Sequence, residues 1–230
     1  VQDFVYNEGM AGKERINIYI DGGNFHHLVL KKLGIDELDF EFDKFADFLA
    51  EDRKIADMGK RFYIGTVREK IGDAQSKEAM ARQTKLFTNL RLGDWEIKTS
   101  KLRMRTEKII IDKRVADYKK IIQAGIQEIN VNRMREKGID VKLATDLIVG
   151  AIDNKYDTAV IVSSDTDLAP SIDWIRLRLK KKVEYVGFSI NSLKIPQEKS
   201  TPSQGMITHS DIQRILVESD VKKFVKQKLF

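Results

Sequence analysis

Five aspartates stand where apolar segments stop. Asp21 follows "INIYI", Asp140 and Asp146 lie in "KGIDVKLATDLI", and Asp165 and Asp167 follow "VIVSS". Carboxylates gathered at one place repel one another, and each is pushed towards protonation. A divalent cation resolves that conflict. Mg²⁺ or Mn²⁺ takes hard oxygen ligands and keeps several waters beside one or two carboxylates. Such an ion activates water and stabilises charge on a phosphodiester under in-line attack. Taken singly, each acid has a plainer role: Asp21 and Asp140 suit turns, and Asp167 suits the cap of the helix after it. Asn24 suits a helix cap that also reaches towards the acidic centre. His26 and His27 read as ordinary helix residues, because no histidine-ligand spacing accompanies them.

For the acids to meet, the elements carrying them must end at one edge. The run 16–20 alternates apolar residues and closes on Asp21, as a buried strand does on reaching a sheet edge. "GGNFHHLVLKKLG" turns the chain into a helix over 25–33 that Gly34 stops. Phe42, Phe45, Phe48 and Leu49 recur at helical spacing. "RFYIGTV" reads as a strand, and 76–92 as a helix with Met80, Phe87 and Leu90 inward. "WEIKTSKLRMR" alternates like a strand, with a phase break expected between Ile97 and Leu102. Val115, Tyr118, Ile121, Ile122, Ile126 and Ile129 describe an amphipathic helix, expected as a helical insertion at about 112–136. The helix opened by "KGIDV" turns Leu143, Leu147, Ile148 and Ile152 inward. "TAVIVSS" is the continuous apolar run of a strand covered on both faces. "LAPSIDWIRLRLKK" reads as a helix that tolerates Pro170 in its first turn, and "KVEYVGF" as a further strand.

Strands alternating with helices imply an α/β fold, a parallel sheet layered between helices. Ligands in such sheets bind beyond the carboxyl ends of the strands. A helix feeding a parallel strand runs the opposite way, so the start of the Asp140 helix belongs at that same edge. Residues 1–15 are expected to form an extension without an assigned role, and 16–190 the domain. Residues 191–230 are expected to form a linker and a helical tail. The linker is read at 189–210 from Pro196, Pro202 and several serines. The tail is read from Ile212, Ile215, Leu216, Val221, Phe224 and Val225.

At 230 residues, 42% hydrophobic and 33% charged, the chain can bury a sizeable core. It has no cysteine, which excludes disulfides, thiolate-bound zinc and thiol nucleophiles and fits a cytoplasmic setting. No apolar stretch reaches the length of a membrane span, and no signal peptide is visible. Lys and Arg number 41 against 35 Asp and Glu, a formal +6, and that excess favours a polyanionic partner.

The segments "YIDGGNF", "KGIDVKLATDLI", "DTAVIVSSDTDLAPSIDWI" and "KKVEYVGF" resemble, in this order, the NYN-domain family in its LabA-like branch, whose members have a PIN-like nuclease fold. The resemblance covers about 15–190. It implies that Asp21, Asp140, Asp146, Asp165 and Asp167 line a divalent-metal site, with Asn24 matching the family's first motif. It also implies metal-dependent cleavage of RNA. On this reading Asp21, Asp140, Asp165 and Asp167 hold Mg²⁺ or Mn²⁺, while Asp146 and Asn24 complete the catalytic set.

An RNA substrate needs cations around that centre. Arg103, Arg105 and Lys108 after the Trp95 strand, and Arg133, Arg135 and Lys137 before the Asp140 helix, are the candidates. Lys180, Lys181 and Lys182 precede a strand and belong at the opposite edge. Trp95 and Tyr118 are the aromatic candidates for stacking on bases, too few to read sequence, so backbone engagement of single-stranded RNA is the expectation. The alternative from another class is a non-catalytic RNA-binding or assembly module on the same fold. A phosphatase of the haloacid-dehalogenase type ranks below both, because the required second acid after the first strand is Gly23 here. The sequence leaves monomer and homodimer both open.

Overall fold

The computed structural model describes residues 13–67, 69, 72–101, 103–135, 138–193 and 198–227, with 103, 134 and 135 described by backbone alone. The alternation in "INIYI" becomes β1 (Arg15–Asp21), the centre of a sheet in the order β3-β2-β1-β6-β7, with β8 and β9 both on the far side of β7. Strands β2 (Lys54–Thr66), β3 (Glu96–Lys101), β6 (Thr158–Val162), β7 (Lys182–Asn191) and β9 (Ile212–Val217) all run parallel to their neighbours in this sheet. Among the described strands of this sheet, only the two-residue β8 (Lys199–Ser200) pairs antiparallel, with the end of β7.

Successive residues of a strand point to opposite faces, and here each face has its own core. Ile16, Ile18 and Ile20, with Val160 and Val162, pack under Phe25, Phe42, Phe45, Leu86 and Leu90. These last come from α1 (residues 22–33), α2 (Phe42–Ala50) and α3 (Ala74–Leu92). Tyr19, Tyr63, Ala159 and Ile161 face the other way, under Leu143, Leu147, Ile172 and Ile175 of α5 (Ile139–Ile152) and α6 (Ala169–Leu179). The middle of α1, His26–Leu30, is a π turn. Gly22 lets α1 start tightly over β2: a Cβ there would lie 2.5 Å from the Phe62 ring.

Chain order fixes where a ligand belongs. From β1 the chain moves outward through β2 and β3 along one face, then returns to β6 and moves outward through β7 and β9 along the other. The direction therefore reverses between β1 and β6, and the crevice beyond their carboxyl ends is the topological switch point.

Three expectations are corrected. The helix read across 112–136 is only α4 (Tyr118–Gln123); 128–135 is instead β5 (Glu128–Arg135), which pairs antiparallel with β4 (Arg103–Ile110). The isoleucine spacing fitted both periods, and the positive φ of Gly125 (80°) ends the helix before Ile126. The linker and tail are integral to the domain. They hold β8, α7 (Gln204–His209), β9 and α8 (Glu218–Lys222), and only part of the tail is helical. Arg214 of β9 stands 2.8 Å from the fully buried Glu184, which Arg53 approaches to 2.7 Å; neither contact is aligned as a hydrogen bond. Finally, the inner face of α3 carries Leu86 and Leu90 rather than Met80, and Ile152 on α5 is 57% exposed. Tail residues Leu216, Val221 and Phe224 do enter the core.

Candidate metal centre at the sheet switch point

Asp21 is the last residue of β1, and its side chain is buried where the strand becomes α1. Its Oδ1 accepts from the Asn24 amide at 3.0 Å, which caps the helix. Its Oδ2 accepts from the hydroxyl of Ser163 at 3.2 Å. Ser163 in turn accepts from the Asp165 amide at 3.2 Å, so one buried hydroxyl joins the ends of β1 and β6. The Asn24 side chain adds a second tie, its Oδ1 accepting from the Ser164 amide at 3.0 Å. Asn24 is thus a cap residue and a strut for the acid loop at once.

Asp165 opens the short helical turn Thr166–Leu168, and its Oδ1 accepts from the Asp167 amide at 2.9 Å. Asp167 is exposed at the rim, and Asp140 lies across from it in the first turn of α5. Partial loss of solvation raises the Asp140 carboxyl above the usual carboxylate range, and the charges of Asp165 and Asp167 raise it further. Four of the expected acids, Asp21, Asp140, Asp165 and Asp167, therefore gather at one edge.

Asp146 is differently placed. Its Oδ2 accepts from the Tyr63 hydroxyl at 2.8 Å and lies 3.7 Å from both Arg61 and Lys98. Burial first, and Asp146 next, push the Tyr63 hydroxyl far above its ordinary range, so it remains a donor. Asp146 thus has its own partners on β2 and β3.

Among the described residues, no group of three or more Asp, Glu or His side chains converges tightly enough to hold one ion alone. The donors are hard carboxylate oxygens under mutual repulsion, which suits a Mg²⁺ or Mn²⁺ held by one or two of them with water and phosphate oxygens completing its shell.

Several residues that matter here were not singled out in the sequence. Ser163 lay in view before Asp165, but only its burial reveals the bridge. Tyr185, in β7, bonds both ways: its hydroxyl lies 2.8 Å from Ser164 Oγ and accepts from the Ser203 amide at 3.0 Å. Tyr63 and Tyr185 both face the acids' side of the sheet, a strand-parity signal present in "RFYIG" and "KVEYVG".

The basic candidates fall on β4 and β5. Arg105 and Lys108 are exposed on β4, and Arg133 is exposed on β5. The side chains of Arg103 and Arg135 are not described, and Lys137 lies outside the described residues. Lys181 and Lys182 sit at the amino edge, near Asp157, as expected. Trp95 is not available for stacking: it is core, with its ring nitrogen donating to Asp43 at 2.9 Å. No helix among the described residues is long and apolar enough to cross a membrane.

A solved structure of a protein of unknown function from Vibrio parahaemolyticus RIMD 2210633 shares the fold, with a TM-score of 0.52 and 18% identity, over 91% of this chain and 97% of that one. A Pseudomonas putida (strain DSM 28022 / S16) protein named 6-hydroxy-3-succinoylpyridine 3-monooxygenase is 27% identical over 187 residues, 75% of this chain. The aligned stretch is 59% of that relative's length. The NYN domain matches residues 15–206, which span β1, β6 and every acid of the centre, and the chain belongs to that PIN-like nuclease family.

Proposed function

We propose that this protein is a metal-dependent ribonuclease of the LabA-like branch, acting in the cytoplasm on phosphodiester bonds of single-stranded RNA. The observation that carries the reading is the meeting of Asp21 with the Asp165 loop through Ser163 at the switch point. Beside them, burial and then the charges of Asp165 and Asp167 raise the Asp140 carboxyl. When bound, Mg²⁺ or Mn²⁺ supplies Lewis acidity and an activated water. The chain's own residues prepare the place for it. Asp21, Asp140, Asp165 and Asp167 are the set proposed, with one or two of them holding the ion directly. Ser163 and the Asn24 amide fix the Asp21 carboxylate, and the Asn24 side chain fixes the loop at Ser164. Asp146, held by Tyr63, Arg61 and Lys98, orients the wall beside them.

The test is a metal titration against labelled single-stranded RNA, single-stranded DNA and duplex RNA, with a chelator control. Cleavage of the single-stranded RNA that requires Mg²⁺ or Mn²⁺ is expected. Binding without cleavage at any metal concentration would instead favour a non-catalytic RNA-binding or assembly module. A second reading, oxygen insertion into a hydroxypyridine, comes from the name of the Pseudomonas relative. Turnover of 6-hydroxy-3-succinoylpyridine by a protein inert on RNA would favour it.

A further inference from the structure

Strands β4 and β5 pair with each other and with no other described strand. The arm they form is rooted at the acidic edge, because β3 delivers the chain there at Lys101 and α5 leaves from there at Ile139. Its register sets Arg103 opposite Arg135 and Arg105 opposite Arg133, next to the root. In the alternation of a two-stranded ribbon those four positions share one face. Further out the same face carries Glu107 opposite Val131 and Ile109 opposite Ile129.

This is a costly way to build a hairpin. Like charges directly opposite destabilise a ladder, and an isolated two-stranded hairpin is marginal to begin with. Within the arm the carboxylate of Glu107 is 3.8 Å from Arg133, and Arg105 makes no ion pair with a described residue. Arginine positions set opposite one another in register, beside an acidic edge, suit a ligand whose own charges repeat along its length.

We propose that the arm clamps the sugar–phosphate backbone of a single strand next to the acidic centre, and that its two strands zip more firmly once phosphates neutralise the opposed arginines. The inference rests on the RNA reading of that centre and adds the device that holds the substrate. A single strand fits better than duplex RNA, whose deep, narrow major groove does not admit side chains.

The experiment uses the full chain in chelator, with a fluorescein-labelled oligouridine of about 20 nucleotides. Anisotropy gives affinity against salt, and hydrogen exchange follows the amides of 103–110 and 128–135. The double variant Arg105→Gln/Arg133→Gln should bind roughly tenfold more weakly near physiological salt. Its salt slope should flatten by about 1.4, two single-strand contacts at about 0.7 each. Arg105→Lys/Arg133→Lys should restore both values. RNA should protect the arm amides in the wild-type chain, and the glutamine variant should show part of that protection without RNA. An unchanged affinity and slope, or arm amides indifferent to saturating RNA, overturns the proposal. So does equal competition by polyglutamate, which would point to an acidic protein partner. The centre is judged separately by Asp165→Asn. If that variant cleaves normally while the glutamine variant binds poorly, the clamp stands and the nuclease site falls. If it is inactive while the glutamine variant binds normally, the clamp falls alone.

Discussion

Ser163 donates its hydroxyl to Asp21 across 142 residues of chain, at 3.2 Å, and takes the Asp165 amide on the same oxygen. Two acids from distant parts of the sequence are thereby held by one atom. The contact to Asp21 is buried and that to the Asp165 amide partly so.

Ser163→Ala should therefore cost about 1–3 kcal/mol, the penalty for leaving buried polar groups unpaired. Urea unfolding measures it, and RNA cleavage should fall as well because Asp21 loses its fixed orientation. Stability equal to wild type would show that the bridge contributes nothing.

Asp165→Asn keeps the shape and removes one charge from the crowded edge. Metal-dependent cleavage should drop by orders of magnitude. Melting in chelator should stay level or rise, because the repulsion on Asp140 is relieved. If Asp165 serves only as a cap, the opposite pattern appears: activity is kept, and Asp165→Ala costs about 1 kcal/mol.

Asp140 carries a pH signature. Its carboxyl is raised in the folded apo protein, so the folded state holds that proton more tightly than the unfolded chain. The stability linked to it is full below the ordinary carboxylate range and is lost as pH rises through the raised value. In chelator, Asp140→Asn should be more stable than wild type near neutral pH, and the gap should close in acid. A gap that stays constant across the titration contradicts the assignment.

Tyr63→Phe removes the neutral donor to Asp146 and leaves Arg61 and Lys98 in place. A loss of about 1.5–3 kcal/mol is expected for a hydrogen bond to a charged group. If Asp146 orients the wall rather than holding the ion, the Mn²⁺ concentration needed for half-maximal cleavage should hardly change, while the cleavage rate falls. A large rise in that concentration would make Asp146 a ligand after all.

Much of the acidic centre was legible because its parts are local. A strand that stops on an acid, a helix that starts beside one, and the parallel rule together place Asp21, Asp140, Asp165 and Asp167 at one edge. What escaped was tertiary. The spacing of Ile121, Ile122, Ile126 and Ile129 satisfies a helix, yet Ile129 sits in a ladder opposite Ile109. Ile212, Ile215 and Leu216 also satisfy a helix, but parallel pairing with β7 and the approach of Arg214 to Glu184 decide for strand. Asp146 matched its motif, but Tyr63, Arg61 and Lys98, from strands more than 40 positions away, claim its carboxylate.

The reversal of chain direction between β1 and β6 also bears on synthesis. A domain folds as a unit, and 15–66 are made well before the partner strand 158–162 exists. Through that interval one edge of β1, with Ile16, Ile18 and Ile20, has no neighbour, and an open apolar edge invites pairing with other chains. The arrival of β6 closes that edge and brings the loop of Asp165 beside Asp21.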